Sequence, residues 1–427
     1  MMRTFSSMFK NKEIRNKILF TLAMLLIYRV GSAIPVPGVD ATKLASQISD
    51  NSVLSMMNLL GGGALERLSV FAMGVTPYIT ASIIIQLLSM DVIPALTEMT
   101  KSGQTGRMKM EKITRYLGVV LSFVQAYSLV YGFDKQYSVL ANSNLSGYLY
   151  TATVLTAGTM FLIWLGDRIS MKGIGNGLSI IIFAGIVSNM PSQFVQVWNV
   201  LAGGTTQGEL FNGILQFALF VLLYIIIIVF VVVMEIAVRK IPIQYTNSSS
   251  YTRGNDVTFL PLKINSASVI PVIFAQSIMT APQIVISFFN QDLYKTLQTY
   301  LSLSSTTGLI LYAVLTFLFT FFYTDLQVDP DQVADNLSKS GAYIPGIRPG
   351  NETKTYLHKV LNRITVLGAI ALVIVATLPY ILPMFTSLPS SISIGGTGII
   401  IVVGVAMETI AQLKGQLTTK AYHGFLR

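Results

Sequence analysis

The run from Val70 to Leu88 is long enough to enter a bilayer, yet it carries Thr76, Pro77, Thr80, Ser82 and Gln86 among its apolar residues. Hydroxyls and amides inside lipid need partners, supplied by a neighbouring helix or by a water-filled cavity. Thr76 and Thr80, with Val75 and Ile79 beside them, recur at helical spacing and would give one helix a mixed face. Two roles fit that chemistry: a wetted wall, or the Ser/Thr bonding that glues packed membrane helices together. Just upstream, Asn58 to Leu68 is apolar but short, and holds Gly61, Gly62 and Gly63 followed by Ala64 and Leu65. Such a stretch cannot span. A short half-helix before a polar-striped span is the pattern of a re-entrant plug beside a pore wall.

Other chemistry is missing. The chain has no cysteine, which excludes disulfides, Cys-ligated zinc, iron–sulfur clusters and a thiol nucleophile. His358 and His423 sit far apart in polar, basic segments without metal-ligand spacing. There is no Walker loop, no HExxH and no paired intramembrane aspartate, and no cofactor is implied. Arg29 lies well inside an apolar run, while Glu235, Asp325 and Glu408 fall near span ends. Coupled transporters place ionisable groups near the midplane. Their scarcity weighs against a secondary transporter and against an intramembrane enzyme. A passive channel driven by partners is left.

The elements that must position these residues follow from composition. Of 427 residues, 52% are hydrophobic and 11% charged, with a mean hydropathy of +0.63. A soluble domain carries about 25% charged residues. Apolar blocks of about 20 residues predict ten spans, near 17–35, 70–90, 113–133, 148–166, 175–193, 211–235, 264–289, 306–326, 360–383 and 392–412. The basic N-terminus resembles a signal peptide, but no small-residue cleavage site follows, so the first span is expected to be retained. With the N-terminus inside, 24 of the 29 Lys and Arg fall on cytoplasmic segments and four outside. That split predicts two cytoplasmic termini and an even number of spans.

Two cytoplasmic connections are long, 239–263 and 327–359. The second contains Ile344-Pro-Gly-Ile-Arg-Pro-Gly, a stiff turn presenting Arg348. Five spans lie before residue 194 and five after it, so tandem halves must have opposite topology. The expected divisions are an N-terminal half at 1–193, the sixth span and its loop at 194–263, and the remaining C-terminal half at 264–427 with a tail at 413–427.

Several stretches together resemble the SecY family of secretion-channel subunits. They include Arg29-Val-Gly-Ser-Ala-Ile-Pro-Val-Pro-Gly, Pro77-Tyr-Ile-Thr-Ala-Ser-Ile-Ile-Ile-Gln-Leu-Leu, Gly173-Ile-Gly-Asn-Gly-Leu-Ser, Leu260-Pro-Leu-Lys-Ile-Asn, Tyr343-Ile-Pro-Gly-Ile-Arg-Pro-Gly and Ile394-Gly-Gly-Thr-Gly-Ile-Ile-Ile-Val-Val. The resemblance implies an all-α polytopic membrane protein. Two inverted, pseudo-symmetric five-helix halves would enclose an hourglass pore with a short plug helix at about 58–68. It implies a pore ring of Val75, Ile79, Leu178, Ile182, Ile273 and Ile401, of which Val75 and Leu178 depart from the family's common isoleucine. It implies a lateral gate between the second and seventh spans, for which Thr80, Ser82, Gln86 and Gln276 are the polar candidates. Arg348, Arg239, Lys240, Arg253 and Lys263 would lie at docking sites for the SecA motor ATPase and for ribosomal RNA phosphates. Expected companions are SecE and SecG. Expected clients are unfolded preproteins, signal sequences and segments released to membrane lipids of the bacterial inner membrane.

Overall fold

A long apolar chain in lipid satisfies its backbone by forming α-helices. The structure, a computed structural model, describes residues 11–40, 61–89, 92–202, 207–245, 258–289, 297, 299–303, 305–385 and 393–423. In chain order its helices are α1 Lys12–Ala33, α2 Thr76–Leu88, α3 Pro94–Lys101, α4 Gln104–Tyr137, α5 Leu145–Lys172, α6 Gly177–Ala202, α7 Gln207–Ile236, α8 Ile270–Phe289, α9 Thr306–Gln327, α10 Pro330–Lys339, α11 Asn351–Phe385 and α12 Ser393–His423. Among the described residues eight helices are long and apolar enough to cross a membrane: α1, α4, α5, α6, α7, α9, α11 and α12. Shorter apolar helices stand at the second and seventh expected spans, so length and composition do not give ten full crossings.

The second span shows why. It was expected from 70, but the helix begins at Thr76, with Pro77 in its first turn, where a missing N–H is harmless. Its 13 residues reach about 20 Å, short of the ~30 Å hydrocarbon core. Residues 61–75 form successive turns. The described part of the expected plug is therefore not a helix. Gly62, Gly63 and Leu68 have φ of 69°, 82° and 41°, and such left-handed residues cannot propagate a right-handed helix. Residues 58–60 of the plug lie outside the described residues.

The helices pack in a repeated pattern. In the first half α1 packs on α5 and α6, α2 on α4, α4 on α5, and α5 on α6. In the second half α7 packs on α11 and α12, α8 on α9, α9 on α11, and α11 on α12. Each pairing has its counterpart at the same place in the other half. The halves meet on two sides: α6 against α7 and α12, and α2 and α4 against α8.

The fold is not purely helical. Strands β1 Val238–Tyr245, β2 Thr258–Lys263 and β3 Ala342–Tyr343 form one antiparallel sheet in the order β2-β1-β3. Ile241 and Ile243 alternate inward along β1 and join Leu262, Ala334 and Leu337 of α10, Ile344, and Leu357 and Ile364 of α11 in one apolar cluster. The described parts of the two long loops are thus one packed module. Its two parts share a core.

Candidate functional site

The six aliphatic residues of the expected ring share one large apolar cluster. Val75 precedes α2 and Ile79 lies one turn in. Leu178 and Ile182 are on α6, Ile273 on α8 and Ile401 on α12. Val75, Ile182 and Ile401 are buried members of a single apolar cluster, and Ile79, Leu178 and Ile273 pack against it. Ala64, Tyr28 and Phe71 belong to the same cluster. Leu65 and Leu68 are buried in a second one, with Ala126, Leu129 and Val130 of α4 and Leu155 of α5. The glycine-rich segment therefore bridges the ring cluster and the N-terminal half.

Backbone geometry holds that segment in place. The Tyr28 hydroxyl donates to the Gly61 carbonyl (3.1 Å) and the Arg29 guanidinium to the Gly62 carbonyl (2.7 Å). Val36 N–H donates to Leu68 O and Val70 N–H to Ile34 O, both at 3.0 Å, around an antiparallel bridge between Pro35 and Ser69. A Cβ on Gly62 would sit 2.7 Å from the Tyr28 hydroxyl and 3.0 Å from the Gly185 Cα. Arg29 was visible in the sequence only as a charge out of place. A cation in a span needs an acceptor, and this one, a backbone carbonyl, lies 33 residues away.

Three of the four polar gate candidates, Thr80, Gln86 and Gln276, donate side-chain hydrogen bonds, and Ser82 accepts one. Thr80 Oγ1 donates to Thr76 O (3.1 Å) and Gln86 Nε2 to Ser82 Oγ (3.2 Å), both within α2. Gln276 Nε2 donates to the Tyr380 hydroxyl of α11 (3.3 Å), inside the second half. The seam between α2 and α8 is apolar: Ile83, Ala267 and Phe274 are buried together, with Ile79, Leu87 and Ile270 packed against them. None of these three hydrogen bonds crosses from α2 to α8.

On the module that carries the sheet, Arg348 is exposed. Its turn is fixed by Ile347 N–H to Ile344 O (3.1 Å), by Thr353 Oγ1 to Arg348 O (2.9 Å), and by Gly346 and Gly350 at φ of 82° and 103°. Only glycine adopts such values freely. Lys354 reaches Asp335 (3.0 Å) and Asp331 (4.0 Å), tying α11 to α10. Arg239 and Lys240 are exposed on β1 and Lys263 on β2. Lys240 stands 6.0 Å from the centroid of the Phe259 ring. Arg253 lies outside the described residues.

The SecY family profile matches residues 69–410. The chain is 46% identical over 432 residues to the protein translocase subunit SecY of Bacillus subtilis (strain 168), covering 100% of both chains. The chain belongs to the SecY family. SecY proteins are translocation channels and not enzymes, and this chain is a multi-pass membrane protein of that kind. Its fold is similar to a solved protein-conducting channel, with a TM-score of 0.66 at 19% identity over 93% of this chain and 91% of that one. It is similar too to Sec61 in the canine ribosome-channel complex from the endoplasmic reticulum, with a TM-score of 0.62 at 20% identity over 93% and 91%. Membership in SecY makes the repeated helix pairings a property of the channel. It places the chain among partners of the translocation machinery.

Proposed function

We propose that this channel threads unfolded preproteins across the cytoplasmic membrane of a bacterium, with both termini in the cytoplasm. The six clustered aliphatics, Val75, Ile79, Leu178, Ile182, Ile273 and Ile401, form the ring at its waist. Their convergence from α2, α6, α8 and α12 into one apolar cluster carries the reading. An apolar constriction excludes ions by dewetting and offers a passing chain no fixed hydrogen bonds. Gly61, Gly62, Gly63, Ala64 and Leu65 act as the plug beneath it.

The side exit runs between α2 and α8. Its seam is apolar, so a threading segment compares like with like: each Leu or Ile gains a few tenths of a kcal/mol in lipid, and a central charge loses about 2.5–3.5 kcal/mol. Thr80, Ser82, Gln86 and Gln276 set helix packing beside that exit. SecE and SecG accompany the channel, and SecA or the ribosome drives it from the cytoplasmic module. Arg348, Arg239, Lys240, Arg253 and Lys263 present cations there, and ribosomal phosphates would make that docking salt-dependent.

Charge reversal tests the docking reading. The Arg348→Glu channel is expected to fold, insert and accumulate normally while post-translational export stops. Normal export by that variant contradicts the role. Arg348 is exposed on a turn whose backbone bonds do not involve its side chain, so a folding defect is not expected.

A further inference from the structure

The junction between the cytoplasmic sheet and α8 is built on a buried carboxylate. Glu235, 7% exposed near the end of α7, accepts from Asn265 Nδ2 at Oε2 (3.0 Å) and from the Ser268 hydroxyl at Oε1 (3.3 Å). Asn265 Nδ2 also donates to the Ser268 carbonyl (3.2 Å), and Ile264 N–H to Ala237 O (3.0 Å). The end of α7, the residue after β2 and the turn before α8 are thereby tied into one knot. Two features mark it as held and not relaxed. Ser268 has φ of 52° although it carries a side chain. The Asn265 Oδ1 atom is buried and has no hydrogen-bond partner. Backbone in a sparse region and an unmet buried acceptor persist only where the surroundings impose them. The same turn touches both working surfaces: Ala267 belongs to the α2–α8 seam and Val269 to the ring cluster.

We propose that Glu235 is a positioning residue for the gate. Through Asn265 and Ser268 it sets the angle at which α8 leaves the cytoplasmic sheet, and so keeps α8 seated on α2 until docking on that sheet pulls the junction. This rests on the α2–α8 seam being the side exit.

Glu235→Gln preserves volume but removes the charge and leaves one acceptor oxygen where the carboxylate offers two, to Asn265 and to Ser268. Two readouts follow. The first is export of a reporter with a defective signal sequence relative to one with an intact signal. That ratio is expected to rise roughly tenfold, as when a two-state equilibrium loses one charge-assisted hydrogen bond. The second is disulfide formation between cysteines introduced at Ile83 and Phe274 in a chain that has none of its own, which is expected to fall. Glu235→Asp keeps both carboxylate acceptors and should leave both readouts nearer the parent than Glu235→Gln does. A purely structural role would lower protein yield without moving the ratio. If Glu235→Gln does not accumulate, Ser268→Ala, which removes one donor, must shift both readouts in the same direction. Unchanged ratio and disulfide yield overturn the proposal. Closing the disulfide in the parent should block export. Export that survives that closure refutes the side-exit reading, and this proposal with it, whereas failure of the junction alone leaves the block intact.

Discussion

At the scale of single residues, the proposed ring and plug are a problem in keeping water out. Ile182 and Ile401 are buried at 6% and 2% exposure in the ring cluster. Asparagine at either position would place an amide without partners in that cluster, at a cost of about 1–3 kcal/mol, and would invite water to satisfy it. Vesicles holding Ile182→Asn or Ile401→Asn channels should leak small ions at rest several-fold faster than the parent. An unchanged leak would mean that these side chains do not line the barrier. Gly62→Ala should act on the same barrier from the plug side. The new methyl meets the Tyr28 hydroxyl and the Gly185 backbone, and the left-handed φ of 69° is one that L side chains resist by roughly 1–2 kcal/mol. Arg29→Gln removes the charged donor to Gly62 O and is expected to raise the resting leak as well, measured in the same vesicles. The glycines announced a bend in the sequence. What it could not announce was who holds the bend, because Tyr28 and Arg29 lie 33 residues away in the chain and the sequence shows Arg29 only as a misplaced charge.

Among elements, the cytoplasmic module was the least legible. Ile241 and Ile243 alternate with Lys240, Pro242 and Gln244, which is a strand signal, but the segment's charge made it read as a loop. Val333, Ala334 and Leu337 recur at helical spacing behind an Asp329 that caps α10 through Asp331 and Gln332 N–H. That helix was hidden by its polar remainder. Neither half can bury its apolar face alone, so only their mutual contact explains both. Leu337→Ala should cost about 2–5 kcal/mol of module stability. Limited proteolysis would then cut the module faster, with the membrane helices left intact. Resistance equal to the parent's would contradict a shared core. Asp335→Ala removes a half-exposed partner of Lys354 and should cost under ~1 kcal/mol. α2 teaches a complementary lesson. Its hydropathy reads back to residue 70, but Gly74 at φ of 57° stops the helix before Thr76, so periodicity alone overran the boundary.

Across the whole molecule, hydropathy placed the long helices well and counting suggested two halves. The structure adds that equivalent helices in each half make equivalent pairings, a relation no local pattern encodes because it depends on which faces meet. Val75, Ile79, Leu178, Ile182, Ile273 and Ile401 share one large apolar cluster that draws on both halves, and the central proposal is that another polypeptide slides past those six. The absence of cysteine makes the decisive measurement clean. Single cysteines at Ile79, Ile273 and Ile401, and a lipid-facing control at Leu222, which is 55% exposed, are challenged with a stalled secretory chain carrying a thiol-reactive probe. The account predicts strong crosslinks at the three ring positions and none at the control. Crosslinks at Leu222 with none at the ring would put the path elsewhere and contradict it.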